Sequence, residues 1–143
     1  FSYKKNDFYD DYAHHPTEIK EVLNGVRKVN KNRKVICIFQ PHRFSRIKLL
    51  RKEFSKSFKL ADEVVLCPVY AAGEKIDKNF NNYAFSNLII KNSHVNVINI
   101  QKKLDLFKYF RNNLLNNELV ICMGAGTISS WIKKISKKYE FIK

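Results

Sequence analysis

Asp10, Asp11, Tyr12, His14 and His15 crowd together immediately before the run Pro16-Thr17-Glu18. Two carboxylates, a phenol and two imidazoles at that density can donate and accept hydrogen bonds in several protonation states. A second group, His42, Arg43 and Arg46, adds guanidinium forks, which grip a carboxylate in a bidentate way that lysine does not copy. Arg43 and Arg46 are three positions apart, so both serve one spot if a helix begins nearby. The plainer reading is a solvated surface pair. Tyr70 and Glu74 form a third group, and Gly124 and Gly126 a fourth. That glycine turn either lets backbone N–H groups approach a ligand at a helix start or lets strand and helix pack tightly. It lacks the third glycine and the later acidic residue of a dinucleotide fingerprint.

Several other chemistries are excluded. His14 and His15 are adjacent, which sends them in different directions, and no cysteine stands at ligand spacing, so no metal site is expected. No G-x-S-x-G elbow is present, and Ser45 and Ser129 have no identifiable base. No G-x-x-x-x-G-K-[ST] loop is present either, so nothing here cradles a triphosphate in the P-loop manner.

The elements that must position these groups come from hydrophobic periodicity. Phe1 to Tyr9 alternate weakly and read as a strand. Residues 35–39, 64–67 and 119–123 are continuous apolar runs, as expected of strands buried on both faces, and 95–98 is a weaker one. Between them lie helical stripes: Ile19, Val22, Leu23, Val26 and Val29; Leu49, Leu50, Phe54 and Phe58; Leu104, Phe107, Phe110 and Leu114; Ile128, Trp131, Ile132 and Ile135. Pro16 suits the first helical position, and Thr17 and Glu18 suit the first turn, where the helix dipole favours an oxygen and a negative charge. Residues 74–82 read as a loop. Pro68 lacks a ladder donor, so its strand should end there or lie at an edge. Strand-helix alternation implies parallel strands, and each polar group falls just past a strand's carboxyl end, where open α/β sheets bind ligands. The expectation is an α/β, Rossmann-like, mainly parallel sheet flanked by helices, one domain over 1–143.

Composition fits that fold. Seven Tyr, eleven Phe and a 45% hydrophobic share argue for a folded globule. The net charge of +14 raises a nucleic-acid or anionic surface, but the lysines are dispersed and no Arg-rich, aromatic-interleaved tract appears. Solvated lysine faces are the simpler reading, and no nucleic-acid or membrane partner is expected. Cys37, Cys67 and Cys122 are odd in number and lie in apolar runs, so buried thiols in a reducing cytoplasm are expected rather than disulfides.

Four blocks together resemble the Mur ligase family: Asp10 to Glu18, Phe39-Gln40-Pro41-His42-Arg43-Phe44-Ser45-Arg46, Val69-Tyr70-Ala71-Ala72-Gly73-Glu74, and Met123-Gly124-Ala125-Gly126-Thr127-Ile128. The pattern is most similar to the branch that joins L-alanine to UDP-N-acetylmuramate, and it covers nearly the whole chain. Those enzymes have three domains, and the resemblance is to the C-terminal one. It implies that Tyr12, His14, His42, Arg43 and Arg46 hold L-alanine and that Asp11 approaches the nucleoside of ATP. Asp10, His15, Tyr70, Glu74, Gly124 and Gly126 are then supporting residues. ATP and Mg2+ would serve the complete enzyme, with the triphosphate loop and the sugar-nucleotide pocket on the two other domains. No catalytic residue is expected within this chain alone, and the isolated domain should not turn over. The chain starts without Met and inside a strand pattern, as if cut near the linker that precedes this domain. Alternatives are a related ligase that recycles a muramyl tripeptide, whose second block usually reads Glu-Pro-Arg-Ser, a decayed ligase fragment, and a basic binding module. Pro68 departs from the family, where many relatives carry an acidic or other residue.

Overall fold

In the computed structural model, backbone is described for residues 1–140 and side chains for 1–137. A six-stranded sheet has the order β1-β2-β6-β3-β4-β5. The strands are β1 (Ser2–Tyr3), β2 (Asn6–Asp11), β3 (Val35–Phe39), β4 (Glu63–Leu66), β5 (Asn96–Asn99) and β6 (Leu119–Met123). All neighbours run parallel except β1 and β2, which form an antiparallel hairpin. The expected single strand over the first nine residues is therefore two. Lys4 and Lys5, at φ 49° and 59°, make the turn between them in the left-handed region. A two-residue turn with both φ positive suits a hairpin, but Asn-Gly normally signals it.

The helices are α1 (Pro16–Val29), α2 (Phe44–Leu49), α3 (Arg51–Ser55), α4 (Asn82–Ser93), α5 (Lys103–Asn113) and α6 (Ile128–Glu140). Each strand residue in β3 and β6 is buried, because helices cover both faces. On one face Ile19, Leu23, Ile47, Phe54, Phe58, Phe85 and Ile89 from α1 to α4 pack on Val35, Cys37, Phe39, Val64 and Ile121. On the other, Leu106, Tyr109 and Phe110 of α5 and Ile128, Ile132 and Ile135 of α6 pack on Ile36, Ile38, Val65, Val120 and Cys122. Each fully buried side chain of this kind contributes about 1.5–3 kcal/mol. All three cysteines are free and buried, and burial pushes their thiol pKa values up.

Several stripes depart from expectation. The helix expected through Leu49, Leu50, Phe54 and Phe58 breaks at Leu50 into α2 and α3, and Leu49 is left 81% exposed. Val29, at the end of α1, is 83% exposed, and α5 is rotated so that Leu106 and Tyr109 face the core while Leu104 is 52% exposed. Pro68 follows the end of β4, as its missing N–H requires, although β4 is an interior strand.

Register is what assembles the site. Asp11 pairs with Met123, Met123 with Phe39, Phe39 with Leu66, and Leu66 with Asn99. Five parallel strands thus end in one row, and the residues that follow each end share one edge. The chain also leaves neighbouring strands for opposite faces at three places: β2 to α1 against β6 to α6, β3 to α2 against β6 to α6, and β4 to α4 against β5 to α5. Divergence of that kind opens a crevice at the sheet edge.

Candidate functional site

Past β2, Asp11 accepts from the Ala13 amide at 2.8 Å and turns the chain toward α1. His15 is the residue before the helix, and its ring Nδ1 accepts from the Thr17 amide at 3.3 Å. Glu18 reaches back to the His14 and His15 amides at 2.9 and 3.1 Å, which closes a reciprocal cap. The His14 amide, more than the His15 amide, holds the Glu18 carboxyl below the usual carboxylate range. His15 is thus employed as a helix cap. Asp10 accepts from the Ser129 hydroxyl at 2.8 Å and ties β2 to the start of α6.

Four rings follow one another along the edge. Tyr12 and His14 are 5.5 Å apart between centroids, His14 and His42 are 5.4 Å apart, and His42 and Tyr70 are 5.6 Å apart. Tyr12 is 70% exposed, so this is an open surface array and not an enclosed pocket. Tyr70, expected only as support, belongs to the array because His42 and Tyr70 form an isolated parallel bridge. The Tyr70 amide donates to Pro41 O and its carbonyl accepts from the Arg43 amide, each at 2.8 Å.

Protonation states follow from these partners. Arg46 Nη1 lies 3.1 Å from His42 Nδ1, and a guanidinium only donates, so His42 Nδ1 is an acceptor and its proton sits on Nε2. Burial, then the charges of Arg46, His14 and Arg43, hold His42 below the ordinary histidine range. His14 Nδ1 faces the Tyr12 carbonyl at 2.9 Å and therefore donates, which leaves its Nε2 free as an acceptor in the neutral ring. The array offers a donor on one imidazole and an acceptor on the next.

Arg43 precedes α2 at φ 69°, ψ 128°, a costly backbone for a residue with a Cβ, about 1–3 kcal/mol. The surrounding bonds to Tyr70 O and Ile47 N hold it there. Its guanidinium makes no hydrogen bond among the described residues and is exposed, so it is free to bind an anion. Glu74 does not enter the array. Its carboxylate accepts from the Ser45 hydroxyl and amide, which holds it below the usual range and pins the 71–81 loop to α2.

The glycine turn is explained by packing. A Cβ on Gly126 would lie 2.5 Å from Tyr70 Cγ, and one on Gly124 would lie 3.0 Å from the Gln40 carbonyl. Sequence reasoning gave Gln40 no role, yet its buried side chain organises this corner. Nε2 donates to Thr127 Oγ1 and Oε1 accepts from the Ile128 amide, both at 2.9 Å. A glutamine directly after a wholly apolar strand was the available signal. Among the described residues no three His, Cys, Asp or Glu side chains gather to hold a metal ion. No helix among them is long and apolar enough to cross a membrane.

The family model described as "Mur ligase, glutamate ligase domain" matches residues 2–126. The chain belongs to the Mur ligase family. The UDP-N-acetylmuramate–L-alanine ligase of Pelagibacter ubique is 54% identical over 135 residues, 94% of this chain and 29% of that protein. The enzyme of the same name from Brachyspira hyodysenteriae is 39% identical over 139 residues, again 29% of its length. The crystal structure of UDP-N-acetylmuramate-alanine ligase from Thermotoga maritima superposes with TM-score 0.73 at 28% identity, covering 98% of this chain and 28% of that one. A murein peptide ligase from Psychrobacter arcticus shares the fold, TM-score 0.72, at 17% identity. This chain of the Mur ligase family thus spans under a third of the length of these three ligases.

Proposed function

We propose that the chain is the C-terminal domain, 1–143, of an ATP-dependent ligase that joins L-alanine to UDP-N-acetylmuramate. The observation that carries the reading is the ring array of Tyr12, His14 and His42 with Arg46 bonded to His42 and Arg43 unpaired beside it. In this reading Arg43 and Arg46 hold the alanine carboxylate by charge-assisted bonds, and the rings form one open wall beside it. ATP with Mg2+ supplies the phosphoryl group that activates the muramyl carboxylate. Asp11 accepts ribose hydroxyls as the domain closes. The amine of alanine attacks the activated carbonyl, a C–N bond forms and phosphate leaves, with the amine proton passing to solvent. Keeping His42 neutral avoids an imidazolium beside a cationic substrate. The domain's contribution is positioning and exclusion of water from a labile intermediate.

An open array fits a surface completed by another domain, with closure as the gating step. The test fuses this chain behind the N-terminal and central regions of the Pelagibacter ubique relative. Phosphate release from ATP with UDP-N-acetylmuramate should then require L-alanine, and the 143-residue chain alone should release none. Release from the fusion that ignores L-alanine would overturn the reading.

A further inference from the structure

We propose that the crevice between the carboxyl ends of β4 and β5 is a second ligand site, apart from the ring array, and that it takes a mononucleotide. The cavity there has a volume of about 1080 Å3, ample for a small ligand. It arises where the chain leaves β4 for α4 on one face and β5 for α5 on the other, the divergence nearest the β5 edge of the sheet. Tyr70 is the wall it shares with the ring array.

Three features of the lining define the ligand. The first is unbalanced positive charge. Lys78, Lys102 and Lys103 line the cavity, and none has an ion-pair partner among the described residues. The nearby acids are already employed: Asp77 pairs with Lys48, and the Asp105 carboxylate accepts from the Gln101 and Lys102 amides at 3.2 and 3.1 Å. Burial, and then the Lys134 charge, lower the Lys103 pKa, and its ammonium rests 5.2 Å from the centroid of the Phe107 ring rather than on an acid. An anion would relieve all three lysines.

The second is an orphaned acceptor. Asn82 lines the same cavity, and its buried Oδ1 has no hydrogen-bond partner, while its Nδ2 reaches the Cys67 carbonyl at 3.4 Å. The Oδ1 atom is shielded in the cavity, and a turn of the Asn82 side chain toward that space would present it to a ligand hydroxyl. The third is flat apolar wall: Tyr70, Phe80 and the half-buried Trp131 border the space. Phosphate for the lysines, a sugar hydroxyl for Asn82 and a planar base against the rings together describe a mononucleotide. Inorganic phosphate meets only the first of these features, and a nucleoside only the last two.

Trp131 is the chain's single tryptophan, so its fluorescence reports occupancy directly. The 143-residue chain is titrated with uridine 5′-monophosphate and adenosine 5′-monophosphate, and in parallel with inorganic phosphate and with the two nucleosides. A saturable change with both nucleotides is expected, at least about tenfold tighter than with phosphate or nucleoside. Lys102→Glu together with Lys103→Glu should weaken it about tenfold or more with far-UV circular dichroism unchanged, whereas Lys28→Glu, at an exposed lysine of α1 outside the cavity, should leave it intact. Should the double variant fail to fold, the exposed Lys78→Glu and the salt dependence of the wild-type chain carry the same test, with weaker binding at higher salt expected. No saturable change, an equal response to nucleosides, insensitivity to lysine reversal and to salt, or loss of the signal in Lys28→Glu would each overturn the site. The ring array and its L-alanine test stand apart from all of these outcomes.

Discussion

Gly126→Ala is the most direct probe of how the array is assembled. The added Cβ would lie 2.5 and 2.7 Å from Cγ and Cδ1 of Tyr70, and 2.8 Å from Gln40 Oε1. Ordinary carbon contacts are about 3.5–4.0 Å, so the ring must retreat by about 1 Å. Overpacking of this kind costs about 1–3 kcal/mol. Tyr70 is partly exposed and can swing outward, which places the expected loss near the lower half, about 1–2 kcal/mol. For a domain of this size that is a fall of about 3–6 °C in melting temperature. Relief comes at the expense of the array, because the ring that moves is the one 5.6 Å from His42. Thermal unfolding gives the first number, and the His42 ring resonances in a two-dimensional NMR spectrum give the second. A melting temperature within about 1 °C of wild type, with His42 resonances unmoved, would refute the argument that Gly126 is there to seat Tyr70.

Gly25→Ala supplies the contrast: nothing lies within 4 Å of the added Cβ in the middle of α1, so stability should rise by about 0.4–1 kcal/mol, measured by chemical denaturation. His42 should titrate by NMR below the ordinary histidine value of about 6.5, and Arg46→Met should move the midpoint up without restoring it fully, because burial is the larger cause. The sign of the linkage is that a histidine whose pKa is depressed in the folded state contributes stability that is complete above pH about 6.5 and is lost as pH falls through the folded value. Stability that declines through that window and does so equally in His42→Gln would contradict the assignment. Asn6→Ala should cost about 2–4 kcal/mol in urea unfolding, since buried Asn6 joins the Leu115 carbonyl at 2.6 Å to the Glu118 amide at 2.7 Å and its loss strands both.

Much of this arrangement is legible in the sequence where burial is total. Residues 35–39 and 119–123 read as doubly covered strands because no polar residue interrupts them, and Pro16 marks the start of α1. The hairpin is hidden because two lysines adopt the left-handed turn that glycine or asparagine would announce. Helix α4 is hidden because polar residues sit on its buried side. Ser86 accepts from Asn99 at 2.9 Å, and Ser93 donates to the Ser55 carbonyl at 2.6 Å, so satisfied hydroxyls break the apolar stripe. In the site, residue types pointed to Tyr12, His14, His42 and the arginines. Sequence named Tyr70 only as support and left the glycine turn open between ligand approach and packing; tertiary placement supplied the ring contact with His42, the clamp by Gln40 and the choice of packing for Gly126. His15 and Glu74 were drawn into the wider group by proximity in sequence, and other bonds occupy them instead: His15 caps α1, and Glu74 ties the 71–81 loop to Ser45 of α2.

The central claim is that Arg43, held in a strained backbone at the array, binds the amino acid and not the nucleotide. The deciding measurement is the apparent KM for L-alanine and for ATP in the fusion enzyme, with Arg43 and with Arg43→Ala. Loss of one charge-assisted pair predicts a rise of about tenfold or more for L-alanine, about 1.5–3 kcal/mol, with the ATP value changed less than about twofold. Equal rises for both substrates, or a rise for ATP alone, would contradict the account.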